Sequence, residues 1–209
     1  MKQKTGALFD LDGVLLDSEG IYSNFWDAVE AKYPTHIPNF SSVIKGSNLF
    51  EILHDHYPND DIRHRVTEML NNFQRDMPFR FFDGALEFVR HLQSSGIPTC
   101  LVTSSDNAKM EALYRQHPDF KSHFDGIITG DMVSKAKPNP ECFLLGAQVI
   151  HVDIDHCVVF EDSLKGLAAG RAAGAHVVGL ATTLPREAIL DFADEVIDSF
   201  VNYHPAKLL

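Results

Sequence analysis

The tetrapeptide Asp10-Leu11-Asp12-Gly13 sets two carboxylates one residue apart at the end of a short apolar run, Thr5 to Phe9. In an extended backbone both side chains would point the same way, and their repulsion asks for a cation or a proton. Gly13 permits a sharp change of direction where the chain leaves the run. The competing reading is structural, because aspartates are common in turns and as helix caps.

Later runs also end in polar groups. Cys100 to Val102 leads into Thr103-Ser104-Ser105, whose hydroxyls and backbone N–H groups could hold an oxyanion, although Ser105 or Asp106 would equally serve as a helix N-cap. Lys137 stands before Pro138, which biases it towards extended backbone, with Asn139 expected as an N-cap and Pro140 at the first helical position. That fixes Lys137 in place, whereas Lys135 fits a solvated surface lysine. Cys157 to Phe160 runs into Glu161-Asp162-Ser163, where an Asp or Ser cap is the competing reading. Hard oxygen donors without His or Cys favour Mg²⁺, which binds a few carboxylates together with substrate phosphate oxygens.

The elements that must position these groups follow from the pattern. Buried strands are predicted at Thr5 to Phe9, Ile97 to Val102, Gly126 to Ile128, Cys157 to Phe160 and His176 to Leu180. Helical periods fall between them, around Leu86 to Leu92, Ala108 to Gln116, Glu141 to Ile150 and Leu164 to Ala173. Such alternation gives an α/β fold of parallel strands joined by helical crossovers, with ligands at the carboxyl ends of the strands. Residues 17–80 break the rhythm. Ile21, Phe25, Ala28 and Val29 form one apolar helical stripe ending near Tyr33 and Pro34, and Ser41 to Tyr57 and Asp61 to Met77 predict further helices. The expected organisation is a core of residues 1–16 and 81–209 with an all-helical cap of residues 17–80 lying over the strand ends.

Composition narrows the class. The 209 residues are 44% hydrophobic and 22% charged, as in an ordinary globular protein. Eighteen Lys and Arg against 29 Asp and Glu leave a net charge of −11, which argues against nucleic acid or an acidic membrane as partner. Any phosphate must therefore be handled in one local site. Cys100, Cys142 and Cys157 are odd in number and form no Cys-x-x-Cys pair, which suits buried thiols in a reducing compartment. With no signal peptide or spanning segment expected, a cytoplasmic monomer is the expectation.

In order and spacing these motifs resemble the haloacid dehalogenase superfamily of aspartate-nucleophile phosphotransferases, over essentially the whole chain. The branch it is most similar to holds β-phosphoglucomutase and small sugar-phosphate phosphatases. Asp10, Asp12 and Gly13 match the first motif, Thr103 the second, Lys137 the third, and Glu161, Asp162, Ser163 and Gly166 the fourth. The resemblance implies a Rossmann-like parallel-sheet core with an inserted helical cap. It also implies an aspartyl-phosphate on Asp10, proton transfer by Asp12, and phosphate binding by Thr103, the Ser104 N–H and Lys137. The implied Mg²⁺ ligands are Asp10, the Asp12 backbone carbonyl and Asp162, with Glu161 acting through a water.

Two departures bear on substrate. The position matching the mutase's cap histidine is Tyr22, and after Lys45-Gly46-Ser47, which resembles that branch's substrate-facing segment, Asn48 and Leu49 stand where the mutase supplies an arginine. A phosphatase of a small phosphorylated metabolite, such as a sugar phosphate, is therefore expected ahead of a hexose-phosphate mutase. A non-enzymatic phospho-acceptor module also uses Asp, Thr or Ser, and Lys at strand ends, but it is shorter and lacks a cap. His54-Asp55-His56 is not expected to bind metal, since adjacent helix residues face different ways.

Overall fold

A computed structural model describes residues 5–204; the first four residues, on which the expected absence of a signal peptide partly rests, lie outside it. Strand β1 (Gly6–Phe9) is followed by helices α1 (Glu19–Lys32), α2 (Phe40–Val43), α3 (Leu49–His56) and α4 (Asp60–Asp76). The alternation then begins, with α5 (Ala85–Ser94), β2 (Thr99–Val102), α6 (Asn107–Gln116), β3 (Gly126–Ile128) and α7 (Glu141–Val149). It closes with β4 (Cys157–Glu161), α8 (Leu164–Ala173), β5 (His176–Leu180), α9 (Arg186–Ile189) and β6 (Glu195–Ile197).

The strands form one parallel sheet in the order β3-β2-β1-β4-β5-β6. The chain builds outwards from β1 in one direction and then from β4 in the other, so β1 and β4 flank the switch point where doubly wound sheets open a crevice. Asp10 leaves β1 here, its N–H bonded to the Phe160 carbonyl at 3.0 Å. Apolar layers cover both faces. One packs Phe9, Phe160, Phe88 and Leu113, and the other packs Leu8, Val159, Phe143 and Leu167. Phe9 and Phe160 stack with ring centroids 4.7 Å apart, locking β1 to β4 beneath the crevice.

The inserted helices bury a cluster of their own, including Phe25, Trp26, Val29, Phe40, Ile52 and Leu70. Tyr22 and Phe73 adjoin both this cluster and the core below. The chain enters and leaves this region side by side, with Asp17 N–H donating to the Arg80 carbonyl at 2.8 Å and Phe82 N–H to the Leu15 carbonyl at 2.9 Å. Among the described residues no helix is long and apolar enough to cross a membrane.

Several boundaries differ from those expected. The second strand starts at Thr99 rather than Ile97, because Pro98 has no N–H to give the ladder, and Ile97 is buried against the core instead. The stretch 41–57 divides into α2 and α3, separated by a turn that carries Lys45 to Ser47. Pro140, not Asn139, occupies the N-cap position of α7, although Asn139 Oδ1 still accepts from the Glu141 N–H at 3.1 Å. The sixth strand was not foreseen. Only Val196 of its three residues is buried, too little for an edge strand to show a pattern.

Candidate active site

Asp10, Thr103, Glu161 and Asp162 stand at the carboxyl ends of β1, β2 and β4 because they follow directly on, or end, the apolar runs that build the sheet, whereas Lys137 comes from a loop nine residues beyond β3 and not from a strand end as expected. Asp10, Thr103, Lys137, Glu161 and Asp162 are all buried, with Lys137 only 3% exposed. Lys137 Nζ lies 2.5 Å from Asp10 Oδ1 and 2.8 Å from Glu161 Oε1. Burial disfavours its charge, but the two carboxylates outweigh that and hold the ammonium protonated far above the ordinary lysine range. The Lys137–Pro138 peptide is cis.

Glu161 is spent on its neighbours. Its Oε1 accepts from Lys137, while Oε2 accepts from the N–H groups of Asp162 and Ser163, each at 2.8 Å, and from Ser163 Oγ at 3.0 Å. Ser163 Oγ also accepts from the Gly166 N–H at 3.1 Å and so caps α8. One short segment thereby starts a helix and aims a carboxylate at Lys137.

Asp10, Glu161 and Asp162 offer oxygens lying within 4.8 Å of one another. Burial pushes Asp10 up to about 7, with Lys137 opposing and Glu161 and Asp12 adding to the rise. Asp162 is raised well above the carboxylate range by burial and then by the charges of Glu161 and Asp10. One ammonium does not balance three buried carboxylates, and a hard divalent cation fits both the charge deficit and the all-oxygen donors. Gly13, at φ +78°, makes room for this cluster, since a Cβ there would fall 2.0 Å from Asp162 Oδ2.

Asp12 faces another way. Its carboxylate is ion-paired to Lys109, accepts from Ser18 Oγ, and accepts from Ser105 Oγ at 3.0 Å. Burial works against its charge, yet Lys109 and these hydrogen bonds prevail and hold its pKa below the ordinary value. The Asp12 side chain thus stands outside the three-carboxylate group.

Lys109 was not foreseen. It sits in the first turn of α6, where sequence pattern suggests only a solvated lysine, yet it is 3% exposed and lies 4.3 Å from the centroid of the Tyr22 ring. Thr103 Oγ1 accepts from the Ser105 N–H at 3.0 Å, and Ser104 Oγ donates to the Gly46 carbonyl at 3.4 Å. This last contact brings the inserted helices onto the strand ends. Lys165 reaches Ser47 Oγ on the same side, and Lys45 pairs with Glu19 at 2.9 Å. A cavity of about 130 Å³ lies between, lined by Asp10, Asp12, Thr103, Ser104, Lys137, Asp162, Tyr22, Lys45, Gly46 and Ser47 together with the apolar Trp26, Ile44 and Leu70. His54 and His56 are not part of it; His54 pairs with Asp55 at 3.0 Å and His56 stacks edge-on to Phe40.

Comparison with known proteins gives the family and the fold. A family model described as haloacid dehalogenase-like hydrolase matches residues 5–174. The chain is 31% identical to the validoxylamine A 7'-phosphate phosphatase of Streptomyces hygroscopicus subsp. limoneus, over 88% of this chain and 89% of that protein. It is 30% identical to the bifunctional riboflavin kinase/FMN phosphatase of Arabidopsis thaliana, over 99% of this chain but 56% of that protein, so the chain spans about half the length of that relative. Among solved structures, a HAD hydrolase of family IA, variant 3, from Entamoeba histolytica superposes with a TM-score of 0.82 at 23% identity, covering 98% of this chain and 97% of that one. That likeness is one of fold.

Proposed function

Because the chain belongs to the haloacid dehalogenase-like hydrolases, we propose that it is a Mg²⁺-dependent phosphatase of a small phosphorylated metabolite, with a sugar phosphate as substrate. The observation that carries this reading is the meeting of Asp10, Lys137, Glu161 and Asp162 at the switch point of the sheet. Residues 17–80 act as a cap over a catalytic core formed by 1–16 and 81–209.

In this reading a carboxylate oxygen of Asp10 attacks phosphorus, an aspartyl-phosphate forms, and the bond to the leaving oxygen breaks. Asp12 gives the leaving oxygen a proton; it then takes one from the water that attacks the aspartyl-phosphate, which frees inorganic phosphate and restores Asp10. The resting site has Asp12 ionised by Lys109, so it takes a proton from solvent before the first half, and the proton it gains in the second half returns to solvent. A phosphate dianion brought beside it competes for Lys109 and raises its proton affinity for the first half. Thr103, the Ser104 N–H and Lys137 hold the non-bridging oxygens, and Glu161 holds Lys137. Asp10, Asp162 and the Asp12 carbonyl would hold Mg²⁺, which reduces repulsion between an anionic nucleophile and an anionic phosphate.

Charge balance supports a phosphatase over a mutase. The lysines lining the cavity are Lys45, Lys109 and Lys137, each with a carboxylate partner, and no arginine or histidine lines it among the described residues. A second phosphate would find no unpaired cation in the lining itself, where Lys165 approaches only through Ser47 Oγ. Three buried unpaired thiols support a cytoplasmic setting, and a monomer is the working unit of this reading.

The test is phosphate release across sugar phosphates, nucleotides, phosphoglycolate and pyrophosphate, with and without Mg²⁺. Release that Asp10→Asn abolishes in a folded protein is expected; normal turnover in that variant rejects the mechanism. Incubation with β-glucose 1-phosphate and a trace of bisphosphate separates the two activities, free phosphate supporting the phosphatase and glucose 6-phosphate the mutase.

A further inference from the structure

Helix α4 contributes one polar side chain to the cavity that the reaction just described does not use. Gln74 is 5% exposed, and its Nε2 donates to Tyr22 Oη at 3.2 Å. Its Oε1 is buried and has no hydrogen-bond partner. A buried amide oxygen left unpaired is costly, and buried polar groups in native proteins are nearly always satisfied. The lining of a substrate cavity is a place where the missing partner can arrive with the ligand.

The neighbours define what that partner must be. Tyr22 lies against Lys109, and burial raises its phenol to about 12, so it stays protonated and uncharged. Glu19 and Lys45, paired at 2.9 Å, neutralise one another. Trp26 and Leu70 present apolar surface alongside. An anionic leaving group would find every lysine of the lining already paired with a carboxylate, and a purely apolar one would leave Gln74 Oε1 unsatisfied. A neutral carbon chain bearing hydroxyls satisfies both conditions, its C–H faces on the Trp26 indole and one O–H donated to the amide oxygen.

We propose that Gln74, held by Tyr22, is a specificity-determining residue that accepts a hydrogen bond from a hydroxyl of the leaving group, so that the enzyme selects monophosphates of neutral polyhydroxylated compounds. The proposal rests on the phosphatase reading given above and adds to it the residue that recognises the leaving group.

The experiment compares kcat/KM for sorbitol 6-phosphate and n-hexyl phosphate, which share a six-carbon chain and differ in hydroxyls, in the wild-type chain and in Gln74→Met. The ratio of the two is internal to each preparation and does not depend on how much of it is folded. The wild type is expected to prefer the polyol phosphate, and Gln74→Met to shrink the ratio by about tenfold, the loss expected for one hydrogen bond to a neutral partner. A ratio unchanged by the substitution, or a wild type indifferent to the hydroxyls, overturns the proposal while leaving the phosphatase intact. A wild type that releases phosphate from neither compound nor from p-nitrophenyl phosphate overturns the phosphatase reading, and this proposal with it.

Discussion

A Cβ built on Gly166 would stand 1.7 Å from Oε1 of Glu161. The absence of a side chain in the first turn of α8 is what lets the Glu161 carboxylate lie flat over that turn, where it takes the N–H groups of Asp162 and Ser163 and turns its other oxygen to Lys137. Gly166→Ala must therefore push Glu161 aside and release Lys137. Displacement of about 1 Å in a positioning group costs roughly a hundredfold. We expect kcat/KM to fall by about that factor while the circular dichroism spectrum is unchanged; full activity in the variant would show that Glu161 does not position Lys137.

Lys109 and Asp12 form a buried pair whose members cannot be removed singly without cost. Breaking such a pair typically costs about 3–5 kcal/mol, and the 20% exposure of the Asp12 side chain favours the lower end. At about 2–4 °C per kcal/mol for a chain of this size, Lys109→Met should melt some 6–12 °C below wild type. The double variant Asp12→Asn/Lys109→Met should recover part of that loss, because no uncompensated charge remains. Calorimetry of the four proteins measures the coupling, and strictly additive losses would deny it.

Metal dependence is read without turnover. Mg²⁺ should raise the melting temperature of the wild type, since it relieves repulsion among Asp10, Glu161 and Asp162, and chelation should reverse the rise. Asp162→Asn removes one of the charges and should lose most of the shift. A shift of equal size in both proteins would place the ion elsewhere.

The cysteines yield a pH prediction. Burial first, with nearby acidic groups adding, pushes the Cys100 and Cys157 thiols up to about 12 from an ordinary value of 9.0. The folded state then binds more protons than the unfolded state between pH 9 and 12, so their contribution to stability is complete below pH 9 and is lost as pH rises through that window. Native protein should resist alkylation by iodoacetamide at pH 8 and take up label only with denaturant. Rapid labelling of the native chain at pH 8 would contradict the burial of these thiols.

Much of the fold was legible in sequence for local reasons. Apolar runs such as Cys157 to Phe160 end in Glu161-Asp162, the Ile21, Phe25 and Val29 stripe marks α1, and Asp106 and Ser163 are capping residues whose effects reach only a few positions along the chain. Alternation of such segments is enough to place Asp10, Thr103 and Asp162 at strand ends, whereas Lys137 reaches the same place from a loop nine residues beyond β3. The edge strand β6 escaped because a three-residue strand with one buried side chain has no period to detect.

What the sequence determined by itself was the parallel α/β fold and the hydrolase family, because the period of apolar residues and the spacing of motif residues are properties of short stretches. Only the tertiary structure decided which lysine serves which carboxylate: Lys137 for Asp10 and Glu161, Lys109 for Asp12. It also decided that Gln74, far along the chain from Tyr22, lies beside it in the cavity. Those pairings depend on how helix α4 packs against α1 and α6, and a buried lysine or glutamine is spelled with the same letter as a solvated one.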